Sequence, residues 1–188
     1  MANHVTTNVT FYNISDEGLA LLQKLYERVQ SEHKSFGEIF IEPGGELTLD
    51  EVHSFDWAVD NIGPKWCHFE DMGEDYFILT SAWSYPQDGL IKLCELLEPV
   101  SEGVRISVTF QDEMPNFIGC ATICSEGVED DQVWEWEELE IIFKERIEGL
   151  AEEWDEENEC FTEKGDELLS ENMWEIISDL QSEWEAWN

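Results

Sequence analysis

The side chains of this sequence that could do chemistry are above all carboxylates. The segment EGLAEEWDEENECF, residues 148–161, holds seven acidic residues and no basic one. Asp155 begins a run of alternating acids that resembles the start of a calcium loop. An EF-hand loop, however, requires Gly at its sixth position and Glu at its twelfth, where this segment has Cys160 and Asp166. We therefore expect loose attraction of cations here and no specific metal site.

Thiol and imidazole groups show no spacing typical of a catalytic or metal site. Zinc sites need about four Cys or His ligands in close pairs, and the close groups here are Cys67 with His68 and Cys120 with Cys124. The four His residues have no nucleophile motif beside them, and no Gly-rich phosphate loop occurs. With 45 acidic residues, paired carboxylates arise by chance and indicate no hydrolase. We expect no catalytic residue, no cofactor and no metal, and hence a protein that is not an enzyme.

Net charge is the property that most restricts the choice of partner. Forty-five acidic and nine basic residues give −36 at pH 7. Such a charge repels nucleic acid and anionic membrane surfaces, and it attracts basic protein surfaces. With 42% hydrophobic and 12% aromatic residues the chain can also bury a core, so it is not a disordered acidic tail.

The sequence also favours a cytoplasmic location. The first residues, MANHVTTNVTFYN, lack the basic start and apolar run of a signal peptide. No stretch approaches the roughly 18 apolar residues of a membrane span. The five Cys residues are odd in number and form no CxxC pair, which is typical of free thiols in a reducing compartment.

Hydrophobic patterning predicts an α+β domain over residues 1–128. A first strand should end near Asn13, and Ser15 should cap the helix that follows. Helices are predicted at about 16–30, 49–59 and 87–97. A hairpin should turn at 72–75, and two last strands should pair across Met114-Pro115. Strands and helices in this order predict an antiparallel sheet with the helices on one face.

Three stretches within about residues 60–124 carry a resemblance to a known family. They are GPKWCHFED, FILTSAWSYPQDGLIKLCELLEP and RISVTFQDEMPNFIGCATI. Their key features are Gly63-Pro64-Lys65-Trp66, the corner Ser81-Ala82-Trp83-Ser84-Tyr85-Pro86, and Phe117-Ile118-Gly119. They resemble the YubB-like domain of plasmid and phage proteins, although Tyr85 stands where a second Pro is usual. The resemblance implies a ferredoxin-like fold and a mobile-element origin, and it implies no known reaction.

The composition changes after Gly127. Residues 129–188 hold 23 acidic and 3 basic residues. Two apolar stripes at helical spacing predict two helices with acidic outer faces. The first stripe is Leu139, Ile142, Phe143, Ile147, Leu150 and Trp154, and the second is Leu169, Met173, Trp174, Ile176, Ile177, Leu180, Trp184 and Trp187. Asp166 should cap the second helix, and Trp187 is a candidate partner anchor. We expect an acidic helical extension packed on residues 1–128, with a homodimer as a further option.

The uniform sign of the charge indicates a function beyond solubility. Pairs such as Glu148 with Glu152 repel each other and cost about 0.2–0.5 kcal/mol each in an isolated helix. The net charge of −36 equals the phosphate charge of about 18 base pairs. Our leading hypothesis is a DNA mimic that occludes the basic site of a DNA- or RNA-binding host protein, such as a defence nuclease, repair or nucleoid protein. If phage-encoded, it would act in the host cytoplasm.

The candidate phosphate-mimicking residues all lie in the last third of the chain. They are Glu138, Glu145, Glu148, Glu152, Glu153, Asp155, Glu156, Glu167, Glu171 and Glu175. The alternative hypothesis is a regulatory module that binds a protein through an apolar sheet face, with the charge serving solubility. Affinity that falls steeply with salt would favour mimicry over the alternative.

Overall fold

The structure, a computed structural model, describes residues 3–187 without the side chain of Trp187. Within these residues the fold is mixed α/β, with a six-stranded antiparallel sheet and a long C-terminal helix. The strands are β1 His4–Tyr12, β2 Cys67–Met72, β3 Tyr76–Ala82, β4 Arg105–Asp112, β5 Phe117–Cys124 and β6 Gly127–Glu135. The helices are α1 Asp16–Tyr26, α2 Leu49–Val52, α3 Phe55–Asn61, α4 Gln87–Leu97, α5 Trp136–Arg146 and α6 Glu163–Trp187. Two short strands, β7 Trp154–Asp155 and β8 Cys160–Phe161, form a second sheet.

The main sheet has the order β2-β3-β1-β4-β5-β6. Its central strand β1 pairs antiparallel with both β3 and β4, so that Val9 lies opposite Phe77 on one side and Val108 on the other. All three of these side chains are buried. The residues of β1 alternate between the two faces, and Asn8 lies on the outward face. The β2–β3 hairpin, the β1 strand and the β4–β5 neighbours were all predicted, and the structure confirms them.

The chain divides into two compact units. The first comprises Met1–Met114 and Cys120–Gln132, and the second comprises Pro115–Gly119 and Val133–Asn188. The core of the first unit is rich in aromatic rings packed edge to face, with Phe77 at its centre. The ring centroids of Phe11 and Phe69 lie 5.7 and 5.4 Å from that of Phe77, a favourable geometry for aromatic pairs.

Helix α1 begins as predicted but ends earlier. The hydroxyl of Ser15 accepts a hydrogen bond from the backbone N–H of Gly18 at 3.0 Å, which confirms the N-cap. The helix ends at Tyr26 instead of residue 30. The N–H groups of Gln30 and Ser31 donate to the carboxylate of Glu38 instead of continuing the helix.

Two further helix predictions differ in outcome. Helix α4 matches the predicted range 87–97. The single helix predicted over 49–59 is wrong, because the structure has α2 and α3 in its place. The break occurs where the hydroxyl of Ser54 accepts a hydrogen bond from the N–H of Trp57 at 3.3 Å and starts a new helix.

The C-terminal third is less helical than predicted. Residues 129–135, predicted to belong to the helical extension, form most of the acidic strand β6 instead. The helix predicted to continue to Trp154 ends at Arg146, and Gly149 beyond it has a φ of 82°, which favours glycine. The predicted cap at Asp166 is wrong. The structure starts α6 at Glu163, where the hydroxyl of Thr162 accepts from the N–H of Gly165 at 3.2 Å.

One buried carboxylate holds the connection between α1 and α3. The side chain of Glu38 is fully buried and accepts hydrogen bonds from five donors. They are the N–H groups of Gln30, Ser31 and Ser35, the hydroxyl of Ser31 and Nε2 of His53. Burial raises the pKa of Glu38, but these hydrogen bonds outweigh it and lower the pKa below its ordinary value. Glu38 is therefore ionised at neutral pH and fixes the path of residues 30–53.

Replacing this carboxylate should destabilise the protein strongly. In Glu38→Gln, an amide that can accept through only one atom faces donors placed for a carboxylate. We expect a loss of about 3 kcal/mol in the free energy of unfolding at pH 7, measured by urea denaturation. The exposed Glu42→Gln is the control and should change little.

The pH dependence of that loss has a defined sign. Because the folded-state pKa of Glu38 is lowered, its stabilisation is complete above the ordinary value of 4.5 and disappears as the pH falls through the lowered pKa. The stability difference between wild type and Glu38→Gln should therefore narrow on acidification. A difference that stays constant from pH 7 to pH 3 would contradict this role.

Candidate functional site: the acidic segment 133–188

The second unit cannot neutralise its own charge. Residues 133–188 contain 20 acidic and 3 basic residues. Each base is already paired with a carboxylate of this segment. The pairs are Lys144–Glu140 at 2.7 Å, Arg146–Glu183 at 3.0 Å and Lys164–Glu153 at 2.5 Å. A net charge of −17 remains, and it requires cations from outside the segment.

One of these bases is held by aromatic rings. The ammonium of Lys144 lies 3.3 Å from the ring centroid of Trp154 and 5.4 Å from that of Phe161. Contacts of this kind stabilise a cation above a ring face. Lys144 therefore stabilises the short β7–β8 hairpin and is not free to screen the outer surface.

The apolar stripes of this segment share one core, which leaves the carboxylates outside it. Fully or nearly fully buried are Leu139, Phe143, Ile147, Leu150, Phe161, Ile176, Ile177 and Leu180. Trp154, Leu169 and Met173 are partly buried against them. Trp174, expected in this core, is 41% exposed instead. Trp184 is half-buried, and the side chain of Trp187 lies outside the described residues.

The predicted site residues between Glu138 and Glu156, the first group, do not lie on one helix. Glu138 is in the first turn of α5, where its carboxylate accepts from the N–H of Glu135 at 3.2 Å. Glu145 is exposed near the end of α5. Glu148, Glu152 and Glu156 are exposed too, but they lie beyond the helix. The continuous helical track predicted from the sequence is therefore interrupted after Arg146.

Two members of that group have structural roles. The carboxylate of Glu153 accepts from Lys164 and from the hydroxyl of Thr162, and these bonds lower its pKa. Asp155 accepts from the side-chain amide of Asn158 and from the N–H groups of Asn158 and Glu157, which lowers its pKa. Both side chains are only half-exposed and organise the β7–β8 turn, so they are the least suited of the predicted residues to contact a partner.

Helix α6 carries the most regular array of carboxylates. The predicted residues Glu167, Glu171 and Glu175 are exposed on it. The structure extends this series at both ends, and we call the exposed set Glu163, Glu167, Glu171, Glu175, Asp179 and Glu183 the α6 row. Successive members are four residues apart, so they lie on adjoining turns about 6 Å apart along the axis. The whole row spans about 30 Å.

Part of this row was missed because the helix was expected to begin at Asp166. The acid at every fourth position is visible in the sequence, but Glu163 lay outside the predicted helix. The row avoids the buried side of α6, which is formed by Ile176, Ile177 and Leu180. Each step of four residues turns about 40° around the axis, so the row winds through about 200° from Glu163 to Glu183, and only neighbouring members face the same direction.

Similarity to other proteins gives no guide to the function of this surface. Comparison with protein-family models, curated proteins and solved structures found no match. Among residues 3–187, no group of three or more His, Cys, Asp or Glu side chains is placed to hold a metal ion. In the same part of the chain, no helix is long and apolar enough to cross a membrane.

Two matched variants can measure the repulsion along α6. The α6-neutral variant carries Glu163→Gln, Glu167→Gln, Glu171→Gln, Glu175→Gln and Asp179→Asn. The control variant carries the same changes at exposed residues of the first unit, Glu32→Gln, Glu46→Gln, Glu95→Gln, Glu126→Gln and Asp60→Asn. Both lose five negative charges and keep similar helix propensity.

We expect the Tm of the wild type to rise between low and physiological salt, because ions screen like charges. Mild acidification towards the carboxylate pKa values should also raise it. The α6-neutral variant should have a higher Tm at low salt and gain less from added salt than the control variant. Scanning calorimetry measures both quantities. A wild-type Tm that falls over this salt range would contradict a repulsive surface.

Proposed function

We propose that this protein is a non-catalytic DNA mimic that occupies the basic nucleic-acid-binding site of another protein. The observation that carries the proposal is the α6 row, six exposed carboxylates at constant spacing on one rigid helix. The expected targets are proteins that bind DNA or RNA mainly through phosphates, such as defence nucleases, repair enzymes or nucleoid proteins. Inhibition would result from occlusion, without any reaction.

The spacing of the row suits a protein that recognises a phosphate backbone. Each DNA strand carries one phosphate per 3.4 Å of axis, and the α6 row carries one carboxylate per about 6 Å. The density is lower, and because the row winds around the helix, a partner would contact about three or four neighbouring carboxylates at a time. Because the helix already fixes the carboxylates, a partner loses little entropy in ordering them. Counterions held near the row would be released on binding, as they are from DNA.

Solubility alone is a weak explanation for this arrangement. The row contains five like-charged pairs at i, i+4, each unfavourable by about 0.2–0.5 kcal/mol in an isolated helix. Arg146 offsets the repulsion in the last pair, because it binds Glu183. Lys residues at alternate positions would give comparable solubility with favourable pairs. Yet Lys164 is the one base within α6, and it is bound to Glu153. The repulsion is thus retained where it could easily be removed.

The proposal includes a ferredoxin-like assignment for the first unit, which the order of its strands and helices supports. In the sheet, β1 lies between β3 and β4, and β2 lies outside β3. Helix α1 follows β1, and α4 follows β3. This arrangement is consistent with the split βαβ pattern of ferredoxin-like domains, extended by β5 and β6, and so supports that assignment. It agrees with the resemblance to plasmid and phage proteins, whose hosts would supply the target.

The alternative of docking through an apolar sheet face has little support in β1 and β4. Their outward residues include Thr6, Asn8 and Thr10 of β1 and Thr109 and Gln111 of β4. The amide of Asn8 donates to the hydroxyl of Thr109 at 3.3 Å. This part of the sheet is polar, so we propose no second function.

Displacement of duplex DNA tests the proposal directly. A labelled duplex of about 18 base pairs would be bound to each of several sequence-independent DNA-binding proteins, namely a nuclease, a recombination protein and a nucleoid protein. Fluorescence anisotropy then follows displacement as this protein is added at about 50 mM salt. The wild type should displace the duplex from at least one of them, and excess duplex should reverse the effect.

The charge-matched variants identify the surface responsible. The α6-neutral variant should displace DNA at least about tenfold less well than wild type, since steering and counterion release scale with the number of charges. The control variant should remain close to wild type. Equal displacement by the two variants would assign the effect to net charge alone. A stable ternary complex with DNA, or no displacement from any of the proteins, would refute mimicry by the α6 row.

A further inference from the structure

All four His residues of the chain line a single cavity of the first unit. The cavity has a volume of about 600 Å³, within the range of small-molecule sites. Its wall includes His4, His33, His53 and His68, together with Trp66. His4 belongs to β1 and His68 to β2, and Trp66 directly precedes β2. His33 follows α1, and His53 lies between α2 and α3. The cavity is therefore lined by five flat rings.

The floor of the cavity is apolar. Val52, Ala58, Ile62 and Cys67 line it, and all four are buried. Burial raises the pKa of the Cys67 thiol well above its ordinary value, so the thiol is protonated and unsuited to nucleophilic chemistry. The floor favours an apolar ring surface over a strongly hydrated ligand.

The imidazole rings provide polar positions around this floor. Nε2 of His53 lies 3.2 Å from the carboxylate of Glu38. Because a carboxylate only accepts, Nε2 carries the proton, and Nδ1 of a neutral His53 is an acceptor. Within the described residues, Nδ1 of His68 is buried and has no hydrogen-bond partner, which is uncommon for a buried polar atom. A ligand with both donors and acceptors is the class that can satisfy such a wall.

The charges around the cavity favour an uncharged ligand. Lys65 and Glu70 both line it and oppose each other in sign. The ammonium of Lys65 lies 4.1 Å from the ring centroid of Trp83 and would repel a cation there. The net charge of −36 disfavours anions, above all those with several charges. Burial and the neighbouring His33 lower the pKa of His68, which keeps that ring neutral at pH 7.

We propose that this cavity binds a small, uncharged, planar heteroaromatic molecule of the nucleobase class. The rings of Trp66 and His68 are already stacked, with centroids 5.4 Å apart and an interplanar angle of 12°. The ring of His4 meets Trp66 edge-on at 5.3 Å. A flat ligand extends this arrangement by stacking, while its ring nitrogens and exocyclic groups bond to the imidazoles. This site is independent of the α6 row.

Titration with chemically matched probes tests the proposal. The full chain would be labelled with ¹³C in its His residues and titrated at pH 7.5 with adenine, benzoate or benzamidine, which are neutral, anionic and cationic. Adenine should shift the resonances of His33, His53 and His68 together, with one dissociation constant of about 1 mM or lower. Benzoate and benzamidine should bind at least about tenfold more weakly.

Two variants locate the binding site. Ala58→Leu fills the floor and should weaken adenine binding at least about tenfold, while the same change at the exposed Ala151 should have no effect. Trp66→Leu keeps an apolar side chain but removes the stacking ring, and it should also weaken binding about tenfold. Tighter binding of either charged probe, absence of His shifts with adenine, or unchanged binding by both variants would overturn the proposal.

Discussion

Like charge that the chain cannot neutralise internally is the constraint on which the rest of this structure depends. Nine bases stand against 45 acids, so most carboxylates must reach water while two apolar cores form beneath them. The two buried carboxylates, Glu38 and Asp112, both accept hydrogen bonds. Glu38 accepts five hydrogen bonds, and the buried Asp112 accepts one from the amide of Asn3 at 3.1 Å. A buried ion without such donors would be too unfavourable to keep.

The same constraint explains how the acidic segment is built. Its three bases each bind one carboxylate. Arg146–Glu183 ties α5 to α6 and Lys164–Glu153 ties α6 to the residue before β7, whereas Lys144–Glu140 lies within α5. The remaining acids are placed by the apolar stripes, since burying one side of α6 exposes the other. Regular spacing along a rigid helix then turns excess charge into an ordered surface. That order, more than the amount of charge, distinguishes a surface able to compete for a phosphate-binding site from one that is merely soluble.

Elements with strong local signals could be predicted from the sequence. Helix α4 has an apolar stripe of the right period, and the hairpin of β2 and β3 has a turn around Gly73. Strand β6 could not be predicted in this way, because its middle residues are acidic and lack the alternating pattern of a strand. It forms a strand because it pairs with β5 at the edge of the sheet. Acids on an edge strand also discourage pairing with another chain.

In the candidate sites, too, features with a local signal could be predicted and features that depend on the tertiary fold could not. The apolar stripes predicted that α5 and α6 exist, but they did not predict where these helices end and begin. Those limits depend on the positive φ of Gly149 and on the hydroxyl of Thr162, which accepts from the N–H of Gly165. The role of Glu38 depends on donors up to fifteen residues away. The cavity depends on His residues that only the tertiary fold brings together. No spacing in the sequence could have indicated either of the last two.

The salt dependence of complex formation tests the central claim most directly. The dissociation constant of this protein with a sequence-independent DNA-binding protein would be measured by calorimetry from about 50 to 200 mM salt. If the protein imitates a phosphate backbone, log affinity should fall steeply and linearly with log salt. In the α6-neutral variant, this slope should be smaller by on the order of one unit per removed carboxylate. A slope near zero, or the same slope in wild type and the α6-neutral variant, would contradict mimicry of DNA by the α6 row.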